Sequence, residues 1–553
     1  MLSELLLLVS QFLFPIAAAD SPTVSLEYGT FLGATDGNLT KFLGIPFARP
    51  TGRFELPRPP VQLHGLQNAT IFGPACPQQA LSPVPIVSFD NNHSSISEAY
   101  INSRAIGLFV DVYMPSTAQP SSKLSVLFWI YGGGYEVGSS ADTDVRPTVE
   151  RSIFLGEPVI IVVPNYRVSA FGFLAGQEVG DAGVTNLGLR DQIFALQWAK
   201  KYVSSFGGDP ERIVIGGQSA GSISTALLLL SNKQNSGSLV SGSPGPAPTV
   251  ADGQPYYDQL VVANNCTAAS DTLDCLKRVP FDDFMATVNK TADLFSYRSL
   301  SLLWRPRVDG DVIVRNPPLS VAQGEFAKIP ILSGDCDDEG TLFALSSTNV
   351  TTDSEFSDYV QSIYLPGGTS AEVAQIATLY PEDPVVGSPF DTGNANALTP
   401  EFKRIAAFEG DIFFLGPRRL FLEHASKTQN AWSWLNKRGK STPYVGATHS
   451  SDMPMFFPAD INAMPDTVAI DSLINFLNTL DPNESAAPKA LRSRSNTTGV
   501  FWPKWQTASS EGSTSLLTFS DPAVVNVTAD DFRADGIDFL NTLHVEGVTA
   551  IGL

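Results

Sequence analysis

An α/β fold, a large mainly parallel sheet flanked by helices, is predicted by three observations on this sequence. Short apolar runs that read as buried strands recur at Val126 to Ile130, Val159 to Val163, Ile213 to Ile215, Ile329 to Leu332 and Ala431 to Trp434. Between several of them lie segments of helical period, such as Arg190 to Phe206, where Ile193, Leu196, Ala199 and Val203 recur on one face. The 553 residues, 43% of them hydrophobic, can bury a large core, and no internal repeat, low-complexity block or linker divides them. Strands alternating with helices build a sheet covered on both faces, with functional sites at the carboxyl ends of its strands. A single domain spanning 20–553 is the economical reading.

Residues 1–19 read as a signal peptide, with an apolar core from Leu5 to Ile16 and small residues before a cleavage point after Ala19. Its amino-terminal part departs from the usual pattern in carrying Glu4 and no lysine or arginine. No other stretch is long and apolar enough to span a bilayer. Glycosylation sequons at Asn38, Asn68, Asn92, Asn265, Asn289, Asn349, Asn483, Asn496 and Asn526 fit a secreted glycoprotein. Cys266 and Cys275 flank a short segment, and a local disulfide between them is expected in an oxidising compartment. Cys76 and Cys336 have no obvious partner and either pair with each other or stay as buried thiols. The formal net charge of −21 argues against nucleic acid or an anionic membrane as partner, since both demand basic patches.

The stretch from Arg212 to Ser222, RIVIGGQSAGS, runs from a strand-like segment into glycines around a serine, and a helix-length apolar segment follows it. Gly217-Gln218-Ser219-Ala220-Gly221 reads as a nucleophile elbow, a turn that lifts the Ser219 hydroxyl clear of the sheet where only glycines leave the backbones room. Acyl transfer through serine also needs N–H donors for the oxyanion, a base, and an acid that orients the base. The run Gly132-Gly133-Gly134 ends another strand, and the N–H groups of Gly133, Gly134 and Ala220 are the candidate donors. Of the five histidines, His64 and His93 precede the serine, whereas the expected chain order is serine, acid, histidine. His424 and His544 lie in helix-like segments, and His449 sits in a loop after a strand, as a general base at a strand end should. The acid stays open on residue grounds, because SGDCDDEGTLF offers Asp335, Asp337, Asp338 and Glu339 with nothing in their spacing to separate them.

With these motifs in view, the chain resembles the type-B carboxylesterase, cholinesterase and fungal lipase family. The matching segments are FLGIPFARPTGRF, WIYGGGYEVGSS, NYRVSAFGFL, the run from Asn186 to Ser222, GDCDDEGTLF, GATHSSD and FWPKW, in family order over nearly the whole chain. The resemblance implies an α/β-hydrolase fold with Ser219 as nucleophile, Glu339 as acid and His449 as base, and no metal or organic cofactor. The likeness is strongest to the fungal lipase and sterol-esterase-like branch, which implies small-molecule or lipid ester substrates, fatty or sterol esters in particular. Two other readings stand beside it: a non-catalytic adhesion or binding domain, as in relatives that have lost the serine, and the defective product of a damaged gene.

Four departures from the family pattern set further expectations. Gln218 stands where many relatives carry glutamate, and Tyr131 where many carry histidine; neither disables the mechanism. The cysteine that would bridge to Cys76 is missing, through alignment of Gly107 with it or an insertion after Ser97-Glu98, at a cost of about 2 to 5 kcal/mol. The strand after the nucleophile helix is cut short, with only Leu239 and Val240 apolar. The segment after Cys76, where lipases of this type hold a lid, has no convincing amphipathic helix, so dependence on a lipid interface is expected to be weak.

Overall fold

In the computed structural model, residues 21–549 are described apart from 50–51, 85–106, 232–236, 242–243, 496, 498 and 507–513. The expected signal peptide, the greater part of the lid segment (85–106), His93, Asn92 and Asn496 fall outside the described residues. The strands, in chain order, are β1 (Thr23–Leu26), β2 (Gly29–Leu32), β3 (Ala34–Asp36), β4 (Leu39–Pro46), β5 (Leu66–Asn68), β6 (Phe109–Pro115), β7 (Leu124–Ile130), β8 (Val159–Pro164), β9 (Gly208–Gln218), β10 (Gly237–Ser241), β11 (Ile331–Cys336), β12 (Ala431–Lys437), β13 (Ser515–Ser520) and β14 (Val524–Ala529). Eleven of them form one sheet in the order β14-β13-β12-β11-β10-β9-β7-β8-β6-β4-β3, and β1, β2 and β5 form a small separate one. The pairings from β8 through β13 are all parallel, with antiparallel strands at both margins.

The central strands read as continuous apolar runs because both faces of the sheet are covered. Along β7, Val126, Phe128 and Ile130 point into one buried cluster and Leu127 and Trp129 into another, the two-residue period of an extended chain. The first cluster takes in residues of the helices Leu187–Tyr202 and Ala220–Leu230, and the second those of Arg146–Leu155 and Val468–Thr479. A third apolar cluster, rich in aromatic rings from Phe343 to Phe414, forms the helical layer that walls the site described below.

Two expectations about damage to the fold resolve differently. The short strand is present: β10 pairs in parallel with β9 on one side and β11 on the other, so the sheet is continuous through it. The bridge to Cys76 is indeed absent. The Cys76 thiol is buried and donates to the Gly107 carbonyl at 3.5 Å, and burial pushes its pKa well up. A Cβ on Gly107 would lie 1.7 Å from the Pro74 carbonyl oxygen, so the backbone occupies the place where a second cysteine would have put its side chain. Cys336 is the other free thiol, also buried, and Cys266 is bonded to Cys275.

Candidate active site

β9 ends at Gln218, the chain turns at Ser219, and the helix Ala220–Leu230 begins at the next residue. Ser219 has φ 55° and ψ −128°, a conformation L-residues rarely adopt, which marks a strained turn held by its surroundings. The surroundings are backbone. A Cβ on Gly217 would lie 2.4 Å from the Gly221 carbonyl carbon, and one on Gly221 would lie 2.0 Å from the Ile130 carbonyl oxygen. Glycine is required at both positions because β9, the helix start and the end of β7 pack main chain on main chain there. The N–H of Ala220, in the first turn of the helix, is one of the donors a helix leaves without an internal partner.

Directly after β7, Gly133 and Gly134 take φ values of 101° and 62°, open to glycine but not to other residues without strain. Among the described residues, no turn or loop hydrogen bond uses the N–H of either. Both glycines line the same cavity as Ser219, Ala220 and His449.

The loop after β12 brings His449 to this cavity, and the end of β11 with the loop after it brings the acids beneath it. Glu339 Oε2 lies 2.5 Å from His449 Nδ1, and Glu339 Oε1 accepts the Cys336 backbone N–H at 2.7 Å. Both side chains are buried, and the imidazole packs against Phe414 and Phe343 at centroid distances of 4.6 and 5.1 Å. The other three acids are committed to cations. Asp335 accepts from Arg418 Nε at 2.7 Å, Asp337 pairs with Lys437 at 3.4 Å and also with Lys440, and Asp338 pairs with Lys440 at 2.8 Å. Asp338 Oδ2 further accepts the Ala447 N–H at 2.8 Å, so this carboxylate anchors the loop that carries His449. No spacing rule could have sorted the four, since their cations lie far away along the chain.

The remaining described histidines stay apart. His64 is exposed, and His424 rides on the helix Gly416–Ala425. His544 is buried between Thr549 Oγ1 and the Ile412 carbonyl, and burial holds its pKa down to about 4. Tyr131 is a structural residue: its hydroxyl exchanges hydrogen bonds with the Tyr166 main chain at 3.1 Å, and the rings stack at 4.5 Å.

The cavity has a volume of about 160 Å³ and apolar walls that include Ile223, Leu294, Leu302, Leu342, Phe343 and Phe413. Phe413 and Phe414 come from a π-helical stretch, Asp411–Leu415, set between the helices Phe402–Gly410 and Gly416–Ala425. A π-turn widens a helix by one residue and is frequent at functional sites. Sequence periodicity carries no signal for it, and these two rings were missed.

Within this arrangement Ser219 Oγ makes none of the described hydrogen bonds. His449 Nε2 instead faces the Gln218 side-chain nitrogen at 3.2 Å. Taken together, a strained serine, a buried imidazole paired with a carboxylate, and unpaired N–H groups on one apolar cavity have the parts that acyl transfer requires.

Comparison with known proteins agrees in family and in fold. Residues 20–525 match the model described as the carboxylesterase family. A secreted triacylglycerol lipase of Gibberella zeae is 35% identical over 94% of this chain and 90% of its own. Lipase 4 of Diutina rugosa is 36% identical over 97% and 98%. The crystal structure of EstA from Aspergillus niger superposes with a TM-score of 0.78 at 26% identity, covering 96% of this chain and 99% of that one. The chain therefore belongs to the carboxylesterase family, has its α/β-hydrolase fold, and is a carboxylic ester hydrolase.

Proposed function

We propose that the protein is a secreted serine hydrolase of fatty esters, working through an acyl-enzyme on Ser219 with Glu339 and His449 as its acid and base. The observation that carries this reading is the 2.5 Å contact of Glu339 with His449 Nδ1 on the wall of the cavity that also holds Ser219. With Nδ1–H donated to the carboxylate, Nε2 keeps its lone pair and takes the Ser219 proton as Oγ attacks the ester carbonyl. The carbonyl oxygen, now anionic, accepts from the N–H groups of Gly133, Gly134 and Ala220. The imidazolium then gives its proton to the departing alkoxide, leaving the acyl group on Oγ and the alcohol free. Water repeats the sequence: it loses a proton to Nε2, attacks the acyl carbon, and Ser219 regains the proton as the acid leaves. No step calls for a metal or organic cofactor.

Apolar walls support an acyl chain rather than a charged or sugar substituent, and the printed names of the Gibberella and Diutina relatives as lipases support fatty acyl groups. Secretion is supported by the signal-like first 19 residues, by the name of the Gibberella relative, and by exposed sequon asparagines at 38, 68, 265, 289, 349 and 526. Asn483 is the exception among the described sequons, half-buried with its Nδ2 donating to the Trp502 carbonyl.

A series of nitrophenyl esters from acetate to palmitate tests the substrate class. The expected kcat/KM rises by about tenfold for each pair of methylenes that enters the cavity, from the roughly 0.8 kcal/mol gained per buried CH₂, and then levels off. A maximum at acetate with a steady fall thereafter would make this a short-chain esterase. In the same series, rates should pass the solubility limit of the ester without a jump, in keeping with the weak interfacial dependence expected from the sequence.

A further inference from the structure

We propose that Gln218 is a positioning residue that clamps the imidazole of His449 in its neutral form until substrate arrives. The proposal rests on His449 being the base. The Gln218 side-chain nitrogen lies 3.2 Å from His449 Nε2 and 2.7 Å from Ser450 Oγ, so its two N–H groups serve both acceptors. With Nδ1–H directed at Glu339, Nε2 offers a lone pair, which is what an amide N–H needs. An imidazolium would set N–H against N–H, so this contact favours the uncharged ring. The lone pair held by Gln218 is also the one that must receive the Ser219 proton.

The carboxamide has room to withdraw. Gln218 stands on the wall between the apolar cavity and a larger cleft of about 880 Å³ with mixed walls, Lys41, Asp142 and Arg146 beside Leu43, Phe72 and Phe457, and Gly133, Gln218 and Ser450 line both. Its Oε1 rests over Gly132, where an added Cβ would come within 2.7 Å, so the first glycine of the loop is space for this side chain. Substrate entering the apolar cavity brings the Ser219 hydroxyl onto Nε2 and sends the amide toward the cleft.

Several ionisable groups surround the ring. Glu339 touches its Nδ1, Cys336 lies under Glu339, and the Asp338–Lys440 pair braces the loop from behind. Asp452 follows on the same chain segment, Arg305 lines the cavity, and Asp142 lines the cleft while accepting from Ser139. None of them occupies Nε2.

The test is the pH profile of kcat/KM on a soluble nitrophenyl ester for the wild type, Gln218→Glu and Gln218→Met, with thermal melts of each. A carboxylate in place of the amide favours the protonated ring and moves the acidic limb to higher pH by about one unit. Methionine, of similar length but without the donor, moves the limb the same way by about half that amount. If Gln218→Glu fails to melt cooperatively, the methionine variant alone decides. Coincident limbs overturn the role of Gln218 while leaving His449 the base, and a wild-type profile flat through the imidazole range overturns both.

Discussion

Ser219→Ala is expected to lower kcat/KM on nitrophenyl esters by about 10⁵-fold or more, to the residual rate that binding and the oxyanion donors sustain without a nucleophile. The size of the effect follows from the elbow. The turn presents the Ser219 hydroxyl to the cavity, whereas the neighbouring Ser450 hydroxyl, which also lines it, is taken up as an acceptor by the Gln218 amide at 2.7 Å. Stability should not follow activity. Ser219 Oγ makes none of the described hydrogen bonds, and alanine meets the same backbone strain at φ 55°, so the variant should melt within a few degrees of the wild type. A loss of activity accompanied by a collapsed melting transition would mean that the serine holds the fold rather than the chemistry.

Glu339→Gln is the second large effect, about 10³ to 10⁴-fold in kcat, on a physical argument that the geometry makes specific. Glu339 Oε1 accepts the Cys336 N–H at 2.7 Å while Oε2 faces His449 Nδ1. A glutamine there keeps its oxygen on the Cys336 amide and turns its NH₂ toward Nδ1. That favours the tautomer with the lone pair on Nδ1 and the proton on Nε2, which cannot take a proton from Ser219. The loss should appear in kcat with little change in KM, because the cavity walls are untouched. If instead Glu339→Gln retained more than a tenth of wild-type kcat, one of the neighbouring acids would have to be doing the orienting.

The parts of this protein legible in its sequence are those fixed by local rules. β7, β8, β9 and β12 are visible as apolar runs because both sheet faces are covered, and the elbow is visible because Gly217 and Gly221 have backbone where a side chain would go. The observed β11 starts at Ile331 rather than Ile329, a shift that hydrophobicity alone does not register. What residue patterns left open depends on contacts distant in sequence. Four acids within five positions look alike until Arg418, Lys437, Lys440 and His449 each claim one. The family resemblance chose Glu339, and the contact with His449 is the one that suits an orienting acid.

The shortened strand teaches the same lesson from the other side. Leu239 and Val240 alone made a weak strand signal, yet β10 pairs with both neighbours because a central strand draws its stability from two ladders rather than from its own composition. The π-turn that carries Phe413 and Phe414 and the place of the Gln218 amide beside His449 belong to tertiary geometry, and no period or motif announces them.

The proposed reaction requires one atom, Ser219 Oγ, to become covalently bound to substrate. Incubation with a nitrophenyl alkylphosphonate, which transfers its phosphonyl group to an activated serine and releases nitrophenol, followed by peptide mass spectrometry, measures this directly. The expected result is one phosphonyl group per protein, carried by the peptide containing Ser219, with loss of esterase activity in step with labelling. A stoichiometric adduct on any other residue, or inhibition with Ser219 unmodified, would contradict it.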